Sequence, residues 1–454
     1  MKPTRSIVAC VSVALVHVAR ADPGAPGQFA VGQRSVSVTR ADSTTFTAQV
    51  FYPATAGGTN QPFAPGAAPA PAVSFGHGFF QPVSRYASTL RHLAGHGYIV
   101  IASESEGSLF PSHARFASDL SRCLTFLEQQ NSASGSWLEG RVDAARFGLS
   151  GHSMGGGCAI LAAAADARVK ALAPLAPAET NPSAIAASPA LTMPTIFIVG
   201  DADTIVPTAT NGRRMYDATD SPRQLASIRG GSHCGFIDAA TFGCDALVLA
   251  RADQLLAVRR SLTAWFDLHL RDAQSSWPVV WGPASPADSA ITLTADPRCE
   301  VRIASAAVAL PVGELSEIAF TLTNTDEQPR ALTVRANAAD GLAPPPLEAF
   351  IFGAPTGPIA PGVSVETVLR VLPGVDAATI VVSAEAQNAR AWSALTITPF
   401  CLADFNQDGG ADGADVEAFF DAWEAGSPAA DVNGDGGIDG ADVEVFFRRW
   451  EAGC

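Results

Sequence analysis

Lysine is almost missing from this chain: Lys2 and Lys170 are the only two in 454 residues. Charged residues of all kinds reach 16%, against a usual level of about 25%. What charge there is leans acidic, with a formal net of −15. Nucleic acid and anionic membrane surfaces both ask for a basic face, so the balance argues against either as a partner. Long apolar runs are scarce too, and no internal stretch reaches the ~18 residues that span a bilayer. Disorder is excluded from the other side. Apolar residues make up 47% of the chain, enough for several cores, and the length suggests roughly two to four domains.

The one notable apolar run, residues 7–18, follows the basic Lys2 and Arg5 and ends in Ala19-Arg20-Ala21. A charged start, a short apolar stretch and a small-x-small ending read as a secretory signal peptide over 1–21, cut before Asp22. The mature protein is then expected outside the cell, secreted or attached to its surface, where disulfides persist. Cys10 leaves with the signal. Of the other cysteines, Cys234 and Cys244 are spaced to close a small loop, and Cys401 and Cys454 bracket the C-terminal segment. Cys123 and Cys158 lie in helix-like runs as buried thiols, and Cys299 has no evident partner. Sequence leaves this connectivity open.

Strand-like and helix-like runs alternate over residues 22–285. The pattern predicts strands at 35–39, 46–52, 73–75, 98–102, 146–149, 169–173, 195–199 and 224–228. Helices are expected at 84–94, 114–129, 155–165, 211–218 and 250–270. Such alternation gives an α/β domain, a mostly parallel sheet with helices flanking it. Residues 286–400 change character. Short β runs punctuated by Asn, Asp, Pro and Gly predict an all-β, Ig-like sandwich without a catalytic cluster. Residues 401–454 form a third unit. They hold 13 of the acids and two arginines, so most of the net negative charge lies in this short segment.

Gly151-His152-Ser153-Met154-Gly155 is a G-x-S-x-G motif between a strand-like run and a small-residue helix. Glycines on both sides let a strained turn lift a serine hydroxyl clear of a sheet. A hydroxyl is a weak nucleophile and needs a base, and the base needs an orienting acid. In this arrangement the order is Ser, acid, His. Only His233 and His269 follow Ser153, and His269 falls within a long helix. His233 lies in a loop just past a strand and is the expected base. The acid should follow the strand at 195–199, where Asp201 and Asp203 compete; Asp203, further out, is better placed to reach an imidazole. Backbone N–H groups should form the oxyanion hole. Met154 follows the nucleophile, and the Gly76-His77-Gly78-Phe79-Phe80 loop supplies Phe79, with Phe80 the alternative.

On the motifs Gly151-His152-Ser153-Met154-Gly155-Gly156-Gly157, Asp203-Thr204-Ile205-Val206-Pro207 and Ser232-His233, residues 22 to about 275 resemble the bacterial cutinase and polyester (PET) hydrolase group of α/β-hydrolases. The resemblance implies the α/β-hydrolase fold, carboxylic-ester hydrolysis by Ser153, His233 and Asp203, and no cofactor for catalysis. It favours Asp203 over Asp201 and puts Phe79 where the family carries an aromatic, usually Tyr. One departure stands out. The family's aromatic clamp after a Pro-Leu-x-Pro stretch is replaced here: Pro174-Leu175-Ala176-Pro177 leads into Ala178-Glu179. Smaller or aliphatic esters are therefore the expectation. Acyl transfer or peptide cleavage on the same fold is the alternative chemistry, and a surface-binding protein with a relic hydrolase domain the non-enzymatic one.

The third unit is a repeat. Asp404 to Gly426 aligns without gaps to Asp431 to Gly453, with 17 of 23 positions identical, so one structural unit occurs twice. Each copy places acids or amides at loop positions 1, 3, 5, 9 and 12. Those are Asp404, Asn406, Asp408, Asp412 and Asp415 in the first copy, and Asp431, Asn433, Asp435, Asp439 and Asp442 in the second. The Gly410 and Gly437 carbonyls supply position 7. Oxygen donors at this spacing wrap a Ca²⁺ ion, so two structural calcium ions are expected. A loop-helix pair without an entering helix resembles type I dockerin modules. That resemblance implies a small all-α dockerin-like fold and a cohesin-like receptor as partner. Positions 10 and 11, often polar in dockerins, are Gly413-Ala414 and Gly440-Ala441.

Overall fold

The computed structural model describes residues 22–452 apart from 221, 274–275, 281–289, 296–298, 304, 306, 326–327, 339–347, 375–376 and 387–388. The signal peptide expected at 1–21 and Cys454 lie outside the described residues.

One large sheet organises the first part of the chain. Its strands are β1 (Ala30–Thr39), β2 (Thr45–Ala54), β3 (Gly58–Thr59), β4 (Ala70–Gly76), β5 (Ile99–Ser103), β6 (Val142–His152), β7 (Val169–Leu175), β8 (Thr195–Gly200), β9 (Arg223–Ile228) and β10 (Ile291–Ala295). Their spatial order is β10-β9-β8-β7-β6-β4-β5-β2-β1-β3. From β5 through β4, β6, β7 and β8 to β9 every pairing is parallel, while β1–β2, β2–β5 and β9–β10 are antiparallel. Residues of β4 and β5 are buried throughout, as strands covered on both faces must be.

The helices supply that cover. α1 (Ala87–Gly95) and α6 (Arg251–Leu270) lie on one face, and α2 (His113–Ser132), α3 (Met154–Ala165), α4 (Ala184–Ala187) and α5 (Gly212–Ala218) on the other. Two apolar cores result. One joins Phe116, Leu120 and Leu124 of α2 to Phe147 and Leu149 of β6. The other joins Leu90 and Leu93 of α1 to Trp265 and Phe266 of α6. The helices expected at 114–129 and 250–270 are thus among those that bury a face. The sheet runs further than the 285 boundary expected for the first domain, because β10 pairs with β9 over Ile291–Ala295.

Two four-stranded sheets follow. One holds Cys299–Ile303, Ser316–Asn324, Ser364–Leu372 and Glu348–Phe352; the other holds Ala307–Pro311, Ala389–Phe400, Ala378–Ala386 and Thr333–Ala338. Their inward residues, among them Phe320, Leu369, Val382 and Leu395, share one buried cluster. Beyond them α7 (Gly413–Glu424) and α8 (Gly440–Ala452) each follow an acidic loop. They meet through Phe419 and Phe446, whose rings stack at 4.2 Å. Phe446 is 27 residues after Phe419, the repeat period, so the two copies pack as equivalents. Trp423 Nε1 donates to the Asp439 carbonyl and Trp450 Nε1 to the Asp412 carbonyl, at 3.4 and 3.1 Å. Each helix thereby anchors the other copy's loop.

Candidate active site

The turn between β6 and α3 puts Ser153 at φ 57°, ψ −120°, a backbone conformation that an L-residue holds only when its surroundings force it. The glycines explain how. A Cβ on Gly151 would stand 2.4 Å from the Gly155 carbonyl oxygen, and one on Gly155 would stand 2.2 Å from that of Gly76. Only bare backbone allows β4, β6 and α3 to meet so closely. The turn is fastened by Ser153 N–H donating to the Leu175 carbonyl at 2.9 Å, and by Ala178 N–H donating to the Ser153 carbonyl at 3.0 Å.

Asp203 and His233 come from loops after β8 and β9. Asp203 Oδ2 lies 2.7 Å from His233 Nδ1. Its Oδ1 accepts the N–H groups of Ile205 and Val206 at 2.9 and 2.7 Å, so the carboxylate is held on both sides. Asp201 faces elsewhere: it accepts Gly230 N–H at 2.6 Å and is exposed. Ser153, His233 and Asp203 are 8%, 5% and 6% exposed. All three lie at the C-terminal end of the parallel strands, where ligands bind in open α/β sheets. His269 is remote from them, packed on Trp265 within α6.

His152 links the elbow to His233. Its ring lies 4.5 Å from that of His233 and 5.5 Å from that of Phe236. Burial first, then the neighbouring His233, holds it well below the ordinary histidine range, so it stays neutral. The loop after β4 passes beside the nucleophile: a Cβ on Gly78 would sit 3.5 Å from Ser153 Cβ. Among the described residues neither the Phe79 nor the Met154 N–H finds an acceptor. Phe80 has φ 55°, and its ring lies 6.3 Å from that of Phe79. A cleft of about 510 Å³ opens beside this loop, lined by His77, Phe80, Gln81, Val83 and Glu104 among others.

One feature of the His233 loop, Asp245, was not visible in the sequence, while the small loop expected between Cys234 and Cys244 is closed. Asp245 clamps the His233 loop, Oδ2 accepting His233 N–H at 2.7 Å and Oδ1 accepting Cys234 N–H at 3.0 Å. Cys234 and Cys244 are joined in a disulfide, which brings Asp245 to that position. The short Cys234 to Cys244 spacing was the available signal. Cys123 and Cys158 are free and buried, and Cys401 is disulfide-bonded. Exposed apolar side chains adjoin the site: Phe79 and Phe80 on the loop after β4, and Ile205, whose N–H meets Asp203. The Glu179 carboxylate beside Ala178 is tied to Ile185 N–H at 3.0 Å.

The acidic loops form a separate constellation. Asp404 accepts the N–H groups of Asp408 and Gly409, and Asp431 those of Gly434 and Gly436. Asp415 and Asp442 are fully buried. Asp415 accepts Asn406 and Asp412 N–H at 3.0 and 2.8 Å; Asp442 accepts Asn433 and Asp439 N–H at 3.2 and 2.9 Å. Burial alone would raise the Asp415 carboxyl, but these amides outweigh it and hold the group below its ordinary range. Asp412 and Asp439 cap the helices that follow. Among the described residues no three His, Cys, Asp or Glu side chains converge as a metal cluster. The donor type fits a hard cation: carboxylate, amide and carbonyl oxygens on loops curled by Gly409 at φ 100° and Gly436 at φ 86°.

A mostly parallel sheet, a serine on a strained strand-to-helix turn and a histidine-aspartate pair beyond it are the layout of an α/β-hydrolase. Similarity to known proteins narrows the class. A family model described as PETase, PET hydrolase-like, matches residues 19–248, more than half of the chain, and the chain belongs to that family. Cutinase est1 of Thermobifida alba is 31% identical over 157 residues, 35% of this chain and 50% of the relative. A cutinase of Thermobifida fusca (strain YX) is 30% identical over 150 residues, 33% of this chain and 47% of the relative. A bis(hydroxyethyl) terephthalate hydrolase of Streptomyces coelicolor is 30% identical over 157 residues, 35% of this chain and 47% of the relative. The chain spans about half the length of the curated relatives it matches.

Proposed function

We propose that this chain is an exported serine carboxylic-ester hydrolase. The observation that carries the reading is the 2.7 Å contact of Asp203 with His233 Nδ1 beside a serine held on a strained elbow. Ser153 Oγ attacks the ester carbonyl carbon while His233 Nε2 takes its proton. Asp203 fixes the ring and steadies the imidazolium that forms. The Phe79 and Met154 N–H groups receive the oxyanion. His233 then returns the proton to the departing alcohol, leaving an acyl-serine. Water, deprotonated by His233, attacks that ester, and the carboxylic acid leaves as Ser153 regains its proton.

The adjoining apolar side chains and the small Ala178 favour uncharged aliphatic or small esters. The export reading rests on residues 1–21; no described helix is long and apolar enough to cross a membrane. The two acidic loops are proposed to take calcium as structural ions. Asp404, Asn406, Asp408, Gly410, Asp412 and Asp415 would hold one, and Asp431, Asn433, Asp435, Gly437, Asp439 and Asp442 the other. The paired helices are proposed to present a docking face to a cohesin-like receptor.

The test of the activity is turnover of p-nitrophenyl esters of increasing acyl length by the full chain and by Ser153→Ala. Hydrolysis lost in the variant is the expected result, with the chain-length profile sizing the acyl pocket. Equal inactivity of both proteins on every ester would remove the reading.

A further inference from the structure

We infer that Tyr86 is a positioning residue of this site, its hydroxyl fastening the oxyanion loop to the nucleophile elbow through Gly78 N–H on one side and His152 on the other. The inference rests on the ester-hydrolase reading above. Tyr86 closes the short 3₁₀ turn Val83–Tyr86 that follows the loop, and it is buried. Its Oη lies 2.9 Å from Gly78 N and 3.0 Å from His152 Nδ1.

Proton accounting fixes the direction at Gly78, and at His152 the direction goes with the ring tautomer that leaves the phenol proton an acceptor. Gly78 N–H can only donate, so the phenol oxygen accepts there. The phenol has one proton, and His152 Nδ1 is the acceptor left for it. His152 then carries its own proton on Nε2, an atom that is buried and without a hydrogen-bond partner. The Tyr86 hydroxyl is thus a polar anchor of the His152 ring, which also meets the backbone of His233. Burial pushes ionisation of Tyr86 far upward and keeps His152 neutral, so the arrangement persists across the working pH range.

What it anchors is the reacting machinery. A Cβ on Gly78 would stand 2.9 Å from Tyr86 Oη, 3.2 Å from His152 Nδ1 and 3.5 Å from Ser153 Cβ. Loop, elbow and hydroxyl therefore meet within the reach of one methyl group. The peptide joining Gly78 to Phe79 carries the proposed oxyanion N–H. Its carbonyl end is held by Gln81 N–H at 3.1 Å and faces His77 Nδ1 at 2.8 Å. Tyr86 holds the amide that precedes it. On the far side the His152 ring packs against His233, so the same hydroxyl sets the surface on which the base rests.

The experiment compares wild type, Tyr86→Phe and His152→Phe, the second variant keeping a ring against His233 while removing Nδ1. Each is assayed for kcat and KM on p-nitrophenyl butyrate and for inhibition by an alkylboronic acid, which adds to the serine and places an oxygen in the oxyanion hole. Temperature is held well below each unfolding midpoint, so a purely structural role would leave kcat alone. For Tyr86→Phe, kcat should fall about 10- to 100-fold with KM changed by less than about threefold, and boronate affinity should fall alongside kcat. His152→Phe should lose kcat in the same sense. Either folded variant with kcat and boronate affinity within about twofold of wild type would overturn the assignment. A wild type inactive on every ester defeats the hydrolase reading and this assignment with it. An active wild type matched by the variants defeats the assignment alone.

Discussion

Asp201 and Asp203 are two residues apart, both carboxylates, both in the loop after β8, yet they have different tasks. Asp201 spends itself on Gly230 N–H, while Asp203 meets His233 with one oxygen and two backbone amides with the other. A neutral amide in place of Asp203 would offer its N–H₂ or a weaker acceptor to the ring and lose the orienting charge. Asp203→Asn should lower kcat roughly a thousandfold or more, while Asp201→Asn should stay within about tenfold of wild type. Comparable losses in the two variants, measured on one p-nitrophenyl ester, would contradict the assignment. At this scale the placement of Ser153, His233 and Asp203 was legible because each sits at a strand end with a punctuating glycine or serine. Tyr86 and Asp245 were not. A buried phenol and a loop carboxylate gain meaning only from partners that folding brings to them, and no local pattern marks those.

Among elements, the long strands and amphipathic helices were read closely, since their apolar spacing is local. β10 was missed although Ile291-Thr292-Leu293-Thr294-Ala295 alternates as a strand does, because the run is short and its pairing with β9 spans more than 60 residues. The N-terminal segment supplies a second case. His92 in the last turn of α1 and His96 at its C-cap direct their Nε2 atoms at the Pro23 and Ala25 carbonyls, each at 2.8 Å, and so strap residues 22–25 onto the helix. Burial, the dominant cause, pushes His92 down to about 4 from its ordinary 6.5; His96 and Arg259 push the same way, against the Pro23 carbonyl and Asp22. The folded state thus favours neutral His92. The unfolded chain binds the proton first as pH falls, so the stabilisation is complete above pH 6.5 and drains away between there and about 4. Urea unfolding across this window should show wild type losing more stability than His92→Gln. Parallel loss in both would argue against His92 as the source.

At the scale of the whole molecule, the acidity collects in the C-terminal repeats and the proposed ester chemistry in the first sheet. Nothing in the proposed hydrolysis passes through calcium. Chelation by EDTA should therefore lower the thermal stability of the repeats, seen by the fluorescence of Trp423 and Trp450, and leave p-nitrophenyl ester turnover within about twofold. The reasoning is that a cation bound only by the folded loops stabilises the unit that holds it. Tryptophan signals that ignore EDTA and added calcium would refute the calcium assignment. Loss of most turnover on chelation would refute the separation of the two functions. The repeat was legible because its 27-residue period is written twice. Its internal contacts, Trp423 to Asp439 and Trp450 to Asp412, were hidden because they cross between the copies.

The central claim is that Ser153 is an activated nucleophile, and a fluorophosphonate probe tests it most directly. Phosphonylation displaces fluoride and leaves a stable adduct on an activated serine alone. Intact-mass measurement of the full chain should show one adduct on wild type, none on Ser153→Ala, and slow labelling of His233→Ala. An unlabelled wild type, or an adduct that persists on Ser153→Ala, would contradict the account.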